Sequence, residues 1–381
     1  MSLRGRVAIA GVAESDLGEV APGLSELDLV AQGATRALAD AGIGKDEVDG
    51  LFVSSMQYPT PTLHAAEYLG IRPVYSDSTN IGGSAFVLHL LHAATAIAAG
   101  VIETALIAYG STLRSGGGYT TTNRLSPYEE PYRPRWPVSM YALAAARHMH
   151  VYGTTREQLA EVAVAARRWA QLNPKAFVRD ELTVEDVLAS RMVSSPLTVR
   201  DCCLVTDGGG AVVITSAERA RDLAKEPVYL LGAAEAQWHR DISQMDDLTV
   251  TAATESGARA FAMAGVRPAD VDVVEVYDAF TINTVLFLED LGFCAKGEGG
   301  DFVAGGAIAP GGRLAVNTNG GGLSYCHPGM YGIFLVIEAV RQLRGEAGER
   351  QQAGAALAAI NGNGGVLSSQ ATAVLGTEAT L

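Results

Sequence analysis

The chain has 381 residues, a formal net charge of −14, 48% apolar residues and only 7% aromatic ones. That length suits two ordinary domains with a large core, and the acidic balance argues against nucleic acid as the main partner. No uninterrupted apolar run of about 18 residues occurs, so a membrane span is not expected, and Cys202, Cys203, Cys294 and Cys326 match neither a zinc site nor a disulfide framework.

The first residues, MSLRGRVAIAGVAESDLG, hold one basic cluster but no cleavable apolar segment, and they read directly as a first strand. A cytoplasmic location is expected. Val7-Ala8-Ile9-Ala10-Gly11-Val12-Ala13-Glu14 is a buried strand entering a loop, and Val228-Tyr229-Leu230-Leu231-Gly232-Ala233-Ala234-Glu235 repeats its pattern. Each is followed by a helix-period segment, LSELDLVAQGATRALADAGI and LTVTAATESGARAFAMAGV. These end in matching cassettes, AGIGKDEVDGLFV and AGVRPADVDVVEV, where Gly stops the helix and a Val-rich run opens the next strand.

Further along, Thr79-Asn80-Ile81-Gly82-Gly83-Ser84 precedes the apolar helix AFVLHLLHAATAIAAG, as Thr318-Asn319-Gly320-Gly321-Gly322 precedes SYCHPGMYGIFLVIEAVRQLRG. ETALIAYGS then answers GAALAAINGNG, and GGGAVVITS answers GVLSSQATAVL. One unit is therefore written twice, over 1–226 and 227–381, and its continuous apolar strands predict mostly parallel sheets covered on both faces. From about 111 to 200 an insertion of different texture carries Arg114, Arg124, Arg133, Arg135 and Arg191 among other basic residues. It begins with the loop-like GGGYTTTNRLSPYEEPYRPRWP and continues into an amphipathic helix, TREQLAEVAVAARRWAQL. This basic run is open to two readings, a solvated face or a landing surface for the phosphates of a nucleotide-bearing substrate.

Three motif regions, together with the duplication, carry a resemblance over essentially the whole length. They are Asn80-x-x-Gly83 before a helix, Tyr277-Asp278-Ala279-Phe280 after a strand, and Val316-Asn317-Thr318-Asn319-Gly320-Gly321 running on to Cys326-His327-Pro328-Gly329. The chain resembles the thiolase superfamily in its sterol-carrier-protein-type (lipid-transfer) branch. The resemblance implies an α/β fold of duplicated βαβαβαββ halves stacked as a five-layer α-β-α-β-α sandwich, with the loop and helical insertion in the first half.

Thiolases use a nucleophilic Cys at a helix N-terminus, where the dipole and free backbone amides activate it and hold an oxyanion. The position matching that Cys is Gly83. Ser84 is adjacent, but a Ser without a positioned base is a weak nucleophile, and a role capping backbone amides is the preferred reading. Asn361, in Ile360-Asn361-Gly362-Asn363, stands where the family's acid/base cysteine would be; it can hydrogen-bond a substrate but shuttles no proton. Tyr277-Asp278-Ala279-Phe280 replaces the run whose Asn holds a catalytic water, so only His327 of the usual set remains. Cys202 and Cys203 read as buried filler, and Cys326 as a structural or pocket-lining residue.

Tyrosines stand in place of the missing groups. Tyr277 and Tyr325 are similar to the tyrosine pair of thiolase-like steroid side-chain aldolases, which also lack the nucleophilic Cys. The resemblance implies that the chain makes or breaks a carbon–carbon bond in a CoA thioester, in its sharper form by retro-aldol cleavage of a β-hydroxyacyl-CoA. His327, Tyr277 and Tyr325 would move protons within about 10 Å of one another, while the amides of Gly82, Gly83 and Ser84 held the enolate oxygen. Glycine at 83 would leave space for a bulky substrate. The alternatives are a non-Cys acyltransferase of Claisen type and a non-catalytic acyl-CoA or lipid carrier. No cofactor is implied beyond coenzyme A as part of the substrate. The family's habits add a homodimer joined through an edge strand near Val74–Thr79 and a small OB-fold, zinc-ribbon partner protein.

Overall fold

The computed structural model describes residues 3–116 and 125–381. Arg124 and part of the Gly/Tyr/Thr-rich loop before it lie outside the described residues. The first half supplies strands β1 (Val7–Glu14), β2 (Gly50–Val53), β3 (Tyr75–Asp77), β4 (Thr104–Ser111) and β5 (Gly208–Ser216). The second supplies β6 (Val228–Gln237), β7 (Val273–Val276), β8 (Ala315–Val316), β9 (Leu357–Gly364) and β10 (Ser369–Gly376).

Their order across the sheet is β8-β7-β9-β10-β6-β1-β5-β4-β2-β3. The pairing pattern repeats. In each half three neighbouring strands run parallel (β3-β2-β4 and β8-β7-β9), and one reversed strand lies antiparallel between its two neighbours, β5 between β4 and β1 and β10 between β9 and β6. The halves meet through a two-residue antiparallel contact, Ala8 opposite Tyr229 and Ile9 opposite Val228, which makes one continuous ten-stranded sheet. The expectation of mostly parallel sheets is therefore corrected to a mixed sheet. Strands such as β4 and β5 are buried nearly end to end, and burial on both faces gives unbroken apolar runs whichever way neighbours point.

Helices α1 (Glu26–Ala41) and α2 (Pro61–Leu69) cover the outer face of the first half. In chain order follow α3 (Ala85–Ala98), α4 (Val138–Tyr152), α5 (Arg156–Gln171) and α6 (Val184–Ala189). In the second half α7 (Ala253–Ala264) covers β6 and β10, α8 (Thr281–Asp290) follows β7, and α9 (Gly332–Leu343) precedes β9. α3 and α9 pack on each other and touch strands of both halves, which makes them the middle of five layers. Their sequences say why: Phe86, Val87, Leu88 and Leu90 on α3, like Ile333, Phe334, Leu335 and Val336 on α9, are buried around the whole circumference. The contact is close enough to require glycine, since a Cβ on Gly332 would stand 2.0 Å from the carbonyl oxygen of Gly83. Among the described residues no helix is long and apolar enough to cross a membrane.

Candidate active site

The N-terminal ends of α3 and α9 meet at a cavity of about 1090 Å³, at the ends of the strands where α/β folds place their ligands. Gly82 and Gly83 line it from the first half, Tyr277 and His327 from the second. Tyr277 Oη lies 3.0 Å from His327 Nε2, and the backbone amide of Tyr331 donates to the same hydroxyl at 3.1 Å. That amide opens α9, so negative charge developing on the Tyr277 oxygen is stabilised by the helix end. Burial lowers the His327 pKa to about 4, and the ring is neutral at physiological pH.

The space expected beside Gly83 is not open. A Cβ added at Gly83 would stand 2.1 Å from Tyr277 Cε2 and 2.8 Å from Tyr277 Oη. The tyrosine ring from the second half fills the volume that a side chain at 83 would occupy. A large residue on one loop is matched by none on the other.

Tyr325 is not brought to this cavity. Its hydroxyl donates to Glu14 Oε1 at 2.8 Å, in a buried cluster where Glu14 also pairs with Arg341 and, at 3.0 Å, with Lys175. Ser84 is buried and does not cap α3 through its side chain; its hydroxyl lies 3.0 Å from that of Ser369. The preferred capping role is thereby corrected. Asn361 is also buried, donating to Gln370 Oε1 at 2.9 Å and accepting from Thr372 Oγ1 at 2.8 Å. Its neighbour Asn363, two residues nearer the end of β9, lines the cavity instead and donates to Tyr141 Oη at 3.0 Å. Strand alternation puts 361 and 363 on one face, and the cavity at the strand end selects the later one.

Cys202 and Cys203 do reach the cavity wall. Burial pushes Cys202 up to about 12 and Cys203 higher still, so both are held as thiols. Cys326 is fully buried, away from the cavity lining, and is likewise raised by burial. Asp278 faces inward, where burial pushes it up to about 7 against the amides of Gly322 and Leu323 that hold its carboxylate.

One part of the remaining wall is apolar and aromatic. Tyr141 stacks on Phe280 with ring centroids 4.4 Å apart, and Trp136 and Val138 continue the surface. Of the basic residues in the inserted segment, Arg114 and Arg191 line the cavity, joined by Arg240 from the second half. Arg114 also pairs with Glu19 at 3.1 Å and Arg240 with Asp241 at 2.6 Å, and other basic residues are spent away from the cavity. Arg167 donates to Ser324 Oγ at 3.0 Å, and Arg156 pairs with Asp201 at 3.2 Å. Nothing in the sequence assigns Tyr141 or Asn363 to the site, because an aromatic in a helix and one of two Asn in a Gly-rich strand carry no mark of their destination.

Residues 234–377 match the family model for the thiolase C-terminal domain. The chain is 37% identical to the 17-hydroxy-3-oxo-4-pregnene-20-carboxyl-CoA lyase of Mycobacterium tuberculosis, over 90% of this chain and 92% of that protein. It is 36% identical to the acetyl-CoA acetyltransferase of Methanothermobacter thermautotrophicus, over 94% and 96% respectively. Among solved structures, the Ltp2-ChsH2(DUF35) aldolase superposes with a TM-score of 0.90 at 33% identity, covering 99% of both chains. With two helix starts facing one cavity and likeness to lyase and acetyltransferase alike, this chain belongs to the thiolase superfamily, as a thiolase-like enzyme of the sterol-carrier-protein type close to the steroid side-chain aldolases.

Proposed function

We propose that this enzyme cleaves a β-hydroxyacyl-CoA by retro-aldol chemistry, without an acyl-enzyme. The observation that carries the reading is the Tyr277–His327 hydrogen bond, 3.0 Å long, with the tyrosine ring standing where a nucleophile at 83 would be. Neutral His327 accepts the Tyr277 proton while the Tyr277 oxygen takes the proton of the substrate's β-hydroxyl. The Cα–Cβ bond breaks, the β-carbon becomes a ketone or aldehyde, and the electron pair moves onto the thioester as an enolate. Backbone amides at Gly82 and Gly83 hold the enolate oxygen. The proton stored on His327 returns through Tyr277 to the α-carbon, so the pair ends as it began. The side chains of Tyr325, Ser84 and Asn361 have no part in this sequence, because their polar atoms are engaged elsewhere.

Arg114, Arg191 and Arg240 suit the phosphates of a CoA thioester, and the Trp136, Tyr141 and Phe280 wall suits an apolar acyl group. Likeness to the Ltp2-ChsH2(DUF35) aldolase supports a partner protein, for which the resemblance implies a small OB-fold, zinc-ribbon chain, and the open edge at β3 supports a two-fold dimer. One observation favours a second reading, acyl transfer: Cys202 and Cys203 lie on the cavity wall. Their raised pKa values count against it.

The test is turnover of a panel of β-hydroxyacyl-CoAs alone, against β-ketoacyl-CoAs with free CoA. Release of ketone or aldehyde in the first assay, unaffected by thiol alkylation, is the expected result. Turnover confined to the second and abolished by alkylation would replace lyase by acyltransferase, and binding without turnover in either would leave a carrier.

A further inference from the structure

The segment Arg200-Asp201-Cys202-Cys203-Leu204-Val205-Thr206-Asp207 belongs to the first half, yet it runs across both catalytic loops of the second. Cys203 N donates to Ala279 O at 2.8 Å, beside the Tyr277 motif. Leu204 N donates to Gly322 O at 2.9 Å, in the turn that leads to His327. Thr206 then closes both backbone groups of His327 at once: its hydroxyl accepts the His327 N–H at 3.0 Å, and its own N–H donates to His327 O at 3.3 Å. Both ends of the strap are fixed by carboxylates. Asp201 accepts from Thr281 Oγ1 at 3.0 Å, and Asp207 accepts the amides of Arg114 and Val20. Cys202, Cys203, Leu204 and Val205 line the cavity, while Thr206 is fully buried.

We propose that Thr206 is a positioning residue, which sets the register of His327 against Tyr277 by the reciprocal clamp between its hydroxyl and amide and the His327 backbone. The proposal rests on the reading of His327 as the proton acceptor. A buried amide that loses its acceptor is costly, so the turn carrying His327 shifts until another partner is found. A shift of about 1 Å between proton donor and acceptor lowers a rate about 10²-fold. Substrate contacts are left in place, because the cavity is lined by the four strap residues before Thr206 and not by Thr206 itself.

The experiment compares Thr206→Val, which keeps the branched shape and removes the hydroxyl, with Thr206→Ser, which keeps the hydroxyl. In the full-length chain Thr206→Val is expected to lower kcat about 10²-fold with KM nearly unchanged, and Thr206→Ser to restore most of the loss. Alongside, ¹⁵N-histidine NMR reads the Nε2 signal of His327, assigned by its disappearance in His327→Gln. Tyr277→Phe moves that signal by removing the hydrogen bond, and Thr206→Val must move it in the same direction while Thr206→Ser leaves it in place. If Thr206→Val does not fold, Thr206→Ala removes the same hydroxyl and carries the same comparison. Full kcat in the hydroxyl-less variant, equal impairment of Val and Ser variants, or an unmoved His327 signal would overturn the proposal. The NMR arm needs no substrate, so it judges Thr206 even if no β-hydroxyacyl-CoA is turned over and the retro-aldol reading falls.

Discussion

Tyr277 and Gly83 form a matched pair, one ring filling the space the other residue vacates. Gly83→Cys, which would restore a thiol to its family position, meets the ring at 2.1 Å from its first added atom. Overpacking of this kind costs about 1–3 kcal/mol, so the variant is expected to melt lower and to gain no thiol-dependent transfer. Gly83→Cys combined with Tyr277→Asn relieves the clash and should recover the lost stability; calorimetry of both variants checks this. The tyrosines are expected to separate in the same way. Tyr277→Phe removes the hydroxyl that His327 and the α9 amide hold, and should lower kcat by about 10²–10⁴-fold, with a stability loss of about 1–3 kcal/mol because the buried Tyr331 amide loses its acceptor. Tyr325→Phe removes a hydrogen bond to the Glu14 carboxylate, and should cost about 1.5–3 kcal/mol of stability with turnover little changed. Steady-state kinetics of the folded variants distinguish the two roles, and urea melts check the two stability losses. pH enters through His327. Only the neutral ring accepts a proton, and burial holds its pKa near 4, so kcat/KM should stay level through pH 6.5 and fall as the pH approaches 4. An acid limb centred near 6.5 would mean that the ring is solvated in the working enzyme.

At the level of elements, the sequence exposes what is periodic and hides what depends on neighbours. The repeated strand-helix cassettes, the Gly stops after α1 and α7 and the apolar girth of α3 are local patterns, and each element forms where its pattern lies. Tyr325 is different: two residues before His327 in sequence, its ring turns toward β1 because Glu14, more than 300 residues away, offers a buried carboxylate. No local pattern encodes that partner. His89 on α3 is a second such case. Its ring is fully buried among Phe52, Phe86 and His92, and among the described residues neither nitrogen has a hydrogen-bond partner. Burial lowers its pKa to about 3, beneath the value of about 6.5 expected in the unfolded chain. A folded pKa below the unfolded one means that stability is fully present above pH 6.5 and is lost as the pH falls toward 3. His89→Leu, similar in volume and apolar, removes two unpaired polar atoms and should stabilise the protein by about 1–3 kcal/mol at pH 7. The gap over the parent should widen on acidification from pH 6.5 downward. Thermal melts across that range check both statements, and a variant less stable than the parent would show that the ring has a partner in solution.

At the scale of the whole molecule, duplication dictates where the sheet must stop. β6 joins β1 at the centre, so the ends are β8 and β3. The edge strand expected near Val74–Thr79 forms as Tyr75–Asp77, paired on one side only, with β2. Beside it Val74 is 75% exposed and Leu63 on α2 is 69% exposed, with Tyr68 and Tyr75 partly open as well. An unpaired edge with apolar neighbours is a template for another strand, and a two-fold axis lets the same strand of a second copy satisfy it. The expected species is a dimer burying well over 1,000 Å², of which the β3 pair is the seam. Placing lysines on the edge, as Val74→Lys with Ser76→Lys, sets like charges opposite one another across that axis and leaves the core untouched, since both positions are exposed. Light scattering at micromolar concentration should then give twice the chain mass for the parent and the chain mass for the variant, with unchanged circular dichroism. A parent that scatters as one chain would rule out the dimer, while a lysine variant that stays dimeric would move its interface away from β3.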